Sequence, residues 1–448
     1  MTTSYGYGAI APFMKTIGCA FPSKSSFHSI KGKYFKPALN KIFENQREQV
    51  LDLIRKKLDS GEKLRLAGDA QYYSRGYSAI WSRYIIMMVE SGLILSYSNC
   101  SKKIEETSSG KLETIGLRKA IEGARSFLKD FQNPIERLTT DRHSGVITMM
   151  RNDYAYIEHK YDGWHFLRNV LLNLLKEAGK KTRATLKPWV PLINAHLWWT
   201  ITSANRPGEA REKVLSLLKH VTGVHSWKND KSFKIIHQCQ THGAFVLQRP
   251  PLDPTGKAFE ALKKLLTSRS VMDSIDSVSP DMGTSMVEGF NHIAVMHSPK
   301  DQFFDEAGHD LRTRVAIVRH NAAQFETLDG KREPIKTKHY FHKTWKEYKD
   351  RIVRPPPSQE WRHTVFTEMI RIRESMASAE GQRKRKLTTV VPSSPSSPIT
   401  PSSPPIDDDH APEKDDESEE EQEDPLACAM RLITARRLLE REKGGESE

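Results

Sequence analysis

Three acidic residues stand where carboxylates could be gathered around divalent ions. Asp69 closes the run KLRLAGDA, Asp141 closes IERLTTD, and Glu288 lies near the start of TSMVEGFNHIAVMHSPKD. Two hard cations held about 4 Å apart need several oxygen ligands of matching charge, and such a pair can activate a hydroxyl against a phosphodiester. Mg²⁺ or Mn²⁺ would be the cofactor. Singly, a strand-end Asp is an ordinary turn former, and a first-turn Glu suits the helix dipole. The signal lies in two Asp at corresponding ends of two apolar runs. A second set is Cys239-x-x-His242, half of a zinc site that His237, His220 or His225 could complete. Its plainer meaning is a contact within a core.

The elements that must position the acids can be read in order. KLRLAGDA is an apolar strand, and YSRGYSAIWSRYIIMMVESGLILSYS reads as two more strands around a Glu90–Ser91–Gly92 turn. A helix over about 111–130, a strand IERLTTD, a helix GVITMMRND, a strand YIEHKYD and a long helix WHFLRNVLLNLLKEAG follow. Three antiparallel strands and then alternating helices and strands make an α/β chain with a mixed sheet, the order of a ribonuclease H-like fold. That order makes the first and fourth strands neighbours, so Asp69 and Asp141 can meet. Glu288 then belongs to a helix whose start Thr284 or Ser285 can cap.

Around this core the chain divides into a helical segment over 1–60, the first part of the core over 61–180 and a helical insertion over 181–275. Core helices carrying the third acid (276–330), a helical extension (331–380) and a disordered tail (381–448) complete it. In the first segment two short helices around the turn CAFPS, the second capped by Ser25 or Ser26, form either a helix-turn-helix or a hairpin packed on the core. The insertion holds Trp189, Trp198, Trp199 and Trp227, a density that normally means core packing and could include a stacking platform for bases.

Charge is divided unevenly along the 448 residues, whose formal net charge is +13. Residues 407–424 hold twelve acids and one lysine, a local −11, so the rest of the chain carries +24. A body that basic suggests a polyanion partner, double-stranded DNA, for which the acidic block could compete. The tail opens with GQRKRKL, where Arg383–Lys386 could serve nuclear import. It continues through a Ser/Pro tract that has little to bury, and its last stretch, LACAMRLITARRLLERE, has the helical spacing of a segment that docks on a protein partner. No run of about 18 apolar residues suggests a membrane span. Four scattered cysteines, Cys19, Cys100, Cys239 and Cys428, argue against a disulfide framework. A Gly-rich phosphate loop and a nucleophile signature are both missing, which removes support for a metabolic enzyme.

The segments GDAQYYSRGYSAIWSRYIIM, LTTDRHSGVITMMRNDY, EHKYDGWHFLRNVL, HLWWT, TGVHSW, CQTH, SMVEGFNHIAVMHSPKD and RTRVAIVRHNAAQ follow one another over roughly residues 25–325. In that order they resemble the DDE transposases of the Kolobok, or THAP-associated, kind and the animal proteins derived from them. The resemblance implies a ribonuclease H-like core with Asp69, Asp141 and Glu288 as metal-binding acids and a helical insertion before the Glu. It also matches Cys239-x-x-His242 to a short Cys/His signature, and Asp162 and His165 to a segment beside the active site. Ala70 and Asn291 differ from the residues usual there, and no THAP-type zinc module precedes the core. Two expectations follow. One is a metal-dependent DNA nuclease or transposase, open to homo-oligomerisation. The other is a domesticated, non-catalytic DNA or chromatin binder.

Overall fold

A computed structural model describes residues 6–74, 79–239, 250–279, 283–300, 302–342 and 347–388. Helix α1 (Tyr7–Thr16) buries no side chain. Helix α2 (Lys24–Ile30) is capped by Ser23, whose hydroxyl accepts from the Ser26 N–H at 3.2 Å, so the cap falls before the Ser25–Ser26 pair expected to supply it. It passes through one π turn at Lys31–Phe35 directly into α3 (Lys36–Asp59). Ala38, Leu39, Phe43, Val50, Leu51 and Ile54 repeat at helical spacing on α3 and are all buried.

The sheet is built from β1 (Leu64–Tyr72), β2 (Trp81–Met88), β3 (Ile94–Ser101), β4 (Ile135–Thr140), β5 (Glu158–Asp162) and β6 (Val278–Ser279), in the spatial order β3-β2-β1-β4-β5-β6. The first three pair antiparallel and the remaining pairs are parallel, giving a mixed α/β sheet. Strand β2 is buried along its whole length because both faces are covered. Its even residues Tyr84, Ile86 and Met88 pack with α4 (Leu112–Phe127) and α5 (Ser144–Asp153). Its odd residues Ile85 and Met87 pack with α11 (Ser285–Val295) and α12 (Glu306–Leu328), as the period of two in a strand requires.

Helix α6 (Gly163–Ala178) leaves β5 and enters a second core with α7 (Val190–Ser203), α8 (Glu209–Val221) and α9 (Lys257–Leu266). The short α10 (Arg269–Met272) then leads to β6, returning the chain to the sheet. Trp189 lies in this core with Trp198 packed against it, and Trp227 is buried in a small separate cluster with Phe233 and Ile236, so these three rings fill space instead of forming a platform.

Two expectations are corrected. The stretch 331–380 is not purely helical: it opens with an antiparallel hairpin, β7 (Lys336–His342) and β8 (Glu347–Val353), before α13 (Glu360–Thr388). The residues from Lys336 to His339 are exposed, so no alternation of buried side chains marked the strand. Residues 381–388, expected to begin the disordered tail, continue α13. The expectations for 389–448, including the acidic block and the final helical stretch, fall outside the described residues.

Candidate active site and a histidine–cysteine cluster

Asp69 lies within β1 and Asp141 one residue beyond β4. The parallel register sets Ala67 beside Thr139, and two further residues along both chains bring Asp69 level with Asp141 on one face of the sheet. Gly68, next to Asp69, is required by packing: a Cβ there would come within 2.8 Å of the Tyr84 ring. The small residue therefore makes room for a side chain of the neighbouring strand, and not only for a ligand.

Glu288 stands in the first turn of α11 and Asn291 one turn further on. Asn291 Nδ2 donates to Oδ2 of Asp69 at 3.0 Å, while Ala70 N–H donates to Oδ1 at 2.8 Å. Behind Asn291, its backbone carbonyl accepts from Gln71 Nε2 at 3.1 Å, and Oε1 of the same Gln71 amide accepts from the fully buried Arg83. A polar chain from β2 thus fixes the helix against β1.

Asp162 ends β5 at 3% exposure and fastens two helix starts. Its Oδ1 accepts from His165 N–H at 2.9 Å, and its Oδ2 accepts from the N–H and the hydroxyl of Thr284 at 2.6 and 3.0 Å. Gly163 lets α6 start against β6, since a Cβ there would lie 2.8 Å from the Ser279 carbonyl. His165 is placed between two acids, Nε2 lying 2.8 Å from Glu288 Oε1 and Nδ1 lying 3.9 Å from Asp141 Oδ2. Asp162 therefore sets local geometry, while His165 reaches the acids themselves.

Electrostatics mark the same place. Burial first, and then the charge of Asp141, push the Asp69 carboxyl up to about 7, with Glu113 and Glu288 adding to the effect. Asp141 is also raised, by burial and by Asp162 and Glu288, against the lowering influence of His165. Burial opposes charge on His165, but Asp141, the Glu288 contact and Asp162 outweigh it and raise its pKa. Glu113 of α4, 3.4 Å from the Tyr72 hydroxyl, is raised as well by burial and by Asp141. Sequence reasoning passed over Glu113. It also passed over Trp164, 45% exposed beside His165 at 4.8 Å between ring centroids, with the Arg168 guanidinium over its face.

Donor chemistry suits hard divalent cations. All the ligands on offer are carboxylate oxygens, the acids repel one another, and Asp141 Oδ1 is buried with no hydrogen-bond partner. The three acids are not drawn into one tight group, and the His165 imidazole stands between two of them.

Among the described residues, the group whose ligand atoms all lie within 4.8 Å of one another is a different one: His220, His225 and Cys239. His220 closes α8, and His225 and Cys239 face each other across a chain reversal bridged at Ser226 and Gln238. Of the three histidines that could complete the Cys239 set, His220 and His225 are in this group and His237 is not. His242 lies outside the described residues. No protein-family model matches the chain, and no curated protein matches it.

Proposed function

We propose that the chain is a transposase-derived, DNA-binding protein with a ribonuclease H-like core and a two-metal site for DNA strand cleavage or transfer. The observation that carries this reading is the convergence of Asp69 and Asp141, level on neighbouring parallel strands, with the electrostatic reach of Glu288 from α11. The strand order, with three antiparallel strands followed by parallel ones, supports a ribonuclease H-like assignment, and the order of sequence segments supports descent from Kolobok-type transposases.

Asp69 and Asp141 would hold Mg²⁺ or Mn²⁺, with Glu288 completing the set. Ions held there would supply activation of the attacking hydroxyl and stabilisation of the leaving oxygen. The protein's own part is positional: Asp162 holds the starts of α6 and α11 together, and Asn291 orients Asp69. His165 holds Oε1 of Glu288, which leaves Oε2 as the oxygen that carboxylate would offer to an ion. Trp164 offers an exposed ring on which a base could stack.

Phosphate contacts would come from the basic body, and the same reading places the protein in the nucleus, with the tail serving partner proteins. Among the described residues no helix is long and apolar enough to cross a membrane. A second reading, a domesticated binder without catalysis, draws on Asn291 and His165, which already hold oxygens of Asp69 and Glu288. Nicking of supercoiled plasmid with Mg²⁺ or Mn²⁺ separates the two. Cleavage by the wild type that is lost in Asp69→Ala supports the enzyme, and no cleavage above the Asp69→Ala background on intact, gapped or branched DNA supports the binder.

A further inference from the structure

We infer that His220, His225 and Cys239 form a zinc site that fastens the chain reversal after α8 to the end of that helix. Two histidines flank one turn, and the cysteine returns to them from the far arm of the reversal. His220 is in the last turn of α8, His225 follows the Gly223 turn, whose φ of +81° favours glycine, and Cys239 returns from fourteen residues later. Cys239 Sγ lies 3.3 Å from His220 Nδ1, and the His220 and His225 rings stand 5.0 Å apart between centroids. Around a tetrahedral zinc with bonds of about 2.0–2.3 Å, neighbouring ligand atoms sit roughly 3.5 Å apart, so the cluster needs only a small contraction to close on an ion.

The surroundings hold the ligands in place without help from a large core. Cys239 N–H donates to the His225 carbonyl at 2.8 Å, and Trp227 N–H donates to the His237 carbonyl at 2.9 Å, locking the two arms in register. Trp227, Phe233 and Ile236 make a three-residue apolar plug inside the loop. The Glu212 carboxylate of α8 accepts from the backbone N–H groups of Lys234, Ile235 and Ile236 at 2.8, 2.8 and 2.9 Å, pinning the loop's far side to the helix. A plug that small offers little apolar burial, and small folded units commonly supplement such a core with a structural metal. Thiolate with two imidazoles is a donor set for zinc, and it excludes Mg²⁺ or Ca²⁺, which take oxygen. The site is thus chemically separate from the carboxylates.

The test is metal content of the full chain, purified without chelator and dialysed against metal-free buffer. About one zinc per chain is expected in the wild type and in His237→Ala, and at least a tenfold loss of zinc affinity in Cys239→Ser and in His220→Ala. Cobalt titration of the wild type should give a thiolate-to-cobalt charge-transfer band, a readout that does not depend on any variant folding. A wild type that retains no zinc and shows no thiolate band with cobalt overturns the inference. Zinc retained undiminished in a folded Cys239→Ser/His220→Ala double variant does the same.

Discussion

Nε2 of His165 lies 2.8 Å from Oε1 of Glu288, joining the helix that leaves β5 to the helix that carries the third acid. The same ring faces Asp141 on its other side at 3.9 Å. An imidazolium at this point offsets part of the repulsion between the acids, and it competes with any other cation for Glu288.

Asp69→Asn should remove divalent-dependent nicking and leave affinity for DNA within about twofold. On the proposed reading, phosphate contacts would come from cations spread over the body. Because the buried Asp69 carboxylate is repelled by Asp141, the amide should also stabilise the metal-free protein at pH 8, by about 1–3 kcal/mol in thermal or urea unfolding. Glu90→Ala, which breaks an ion pair with Arg65 at the start of β1, should leave nicking unchanged. A fall in stability for Asp69→Asn would refute the account of repulsion.

Divalent-ion affinity should rise steeply between about pH 6 and pH 8. Asp69 titrates near 7, so it is protonated and a poor ligand below that value, and His165, with its pKa raised, keeps its charge into the same range. For the metal-free fold the sign is opposite. A carboxyl raised in the folded state contributes stability that is full below its ordinary value near 4 and is lost as pH rises through about 7. Unfolding curves across pH 5–8, with EDTA and with Mg²⁺, should therefore diverge at the alkaline end, and parallel curves would count against both assignments.

Asp162→Ala should cost about 2–4 kcal/mol, because it leaves the N–H groups of His165 and Thr284 without their shared acceptor. The loss should appear in urea unfolding, and nicking should fall together with it. A cost below about 1 kcal/mol would mean that the two helix starts are held by other contacts.

Binding to duplex DNA should weaken by about 10³-fold between 50 and 200 mM salt if roughly six phosphates are neutralised. Deleting residues 407–424 removes a net −11 and should tighten binding at low salt. Affinity unchanged by that deletion would assign the acidic block to protein partners or to solubility.

Much of the sheet could be read from the chain because its signals are local. The continuous apolar run YIIMM and the Glu90–Gly92 turn place β2 and β3 without tertiary information, and LTTD ends β4. The contact of His165 with Glu288 had no such signal, since it depends on how α6 and α11 dock across 123 residues. Glu113 looked like any acid on an amphipathic helix until Tyr72 and Asp141 were placed near it. Cys239 was legible as a candidate ligand, but that it stands beside His220 and His225 and not in a group with His237 required the fold of the reversal. The β7–β8 hairpin was missed because its strands pair with each other and the residues from Lys336 to His339 are exposed, which leaves no buried alternation to read there.

Glu288 follows Asp141 by 147 residues, and the last strand of the sheet, β6, is made only after the whole helical insertion. At a synthesis rate of about 5–20 residues per second, roughly 7–30 s pass between the translation of the second acid and that of the third. A growing chain therefore carries Asp69 and Asp141 with no partner helix to complete them, and pairing β6 with β5 closes a loop long enough to make this a slow, late event in folding. Truncated products ending inside the insertion lack Glu288 and β6, so on the proposed reading they should not cleave DNA.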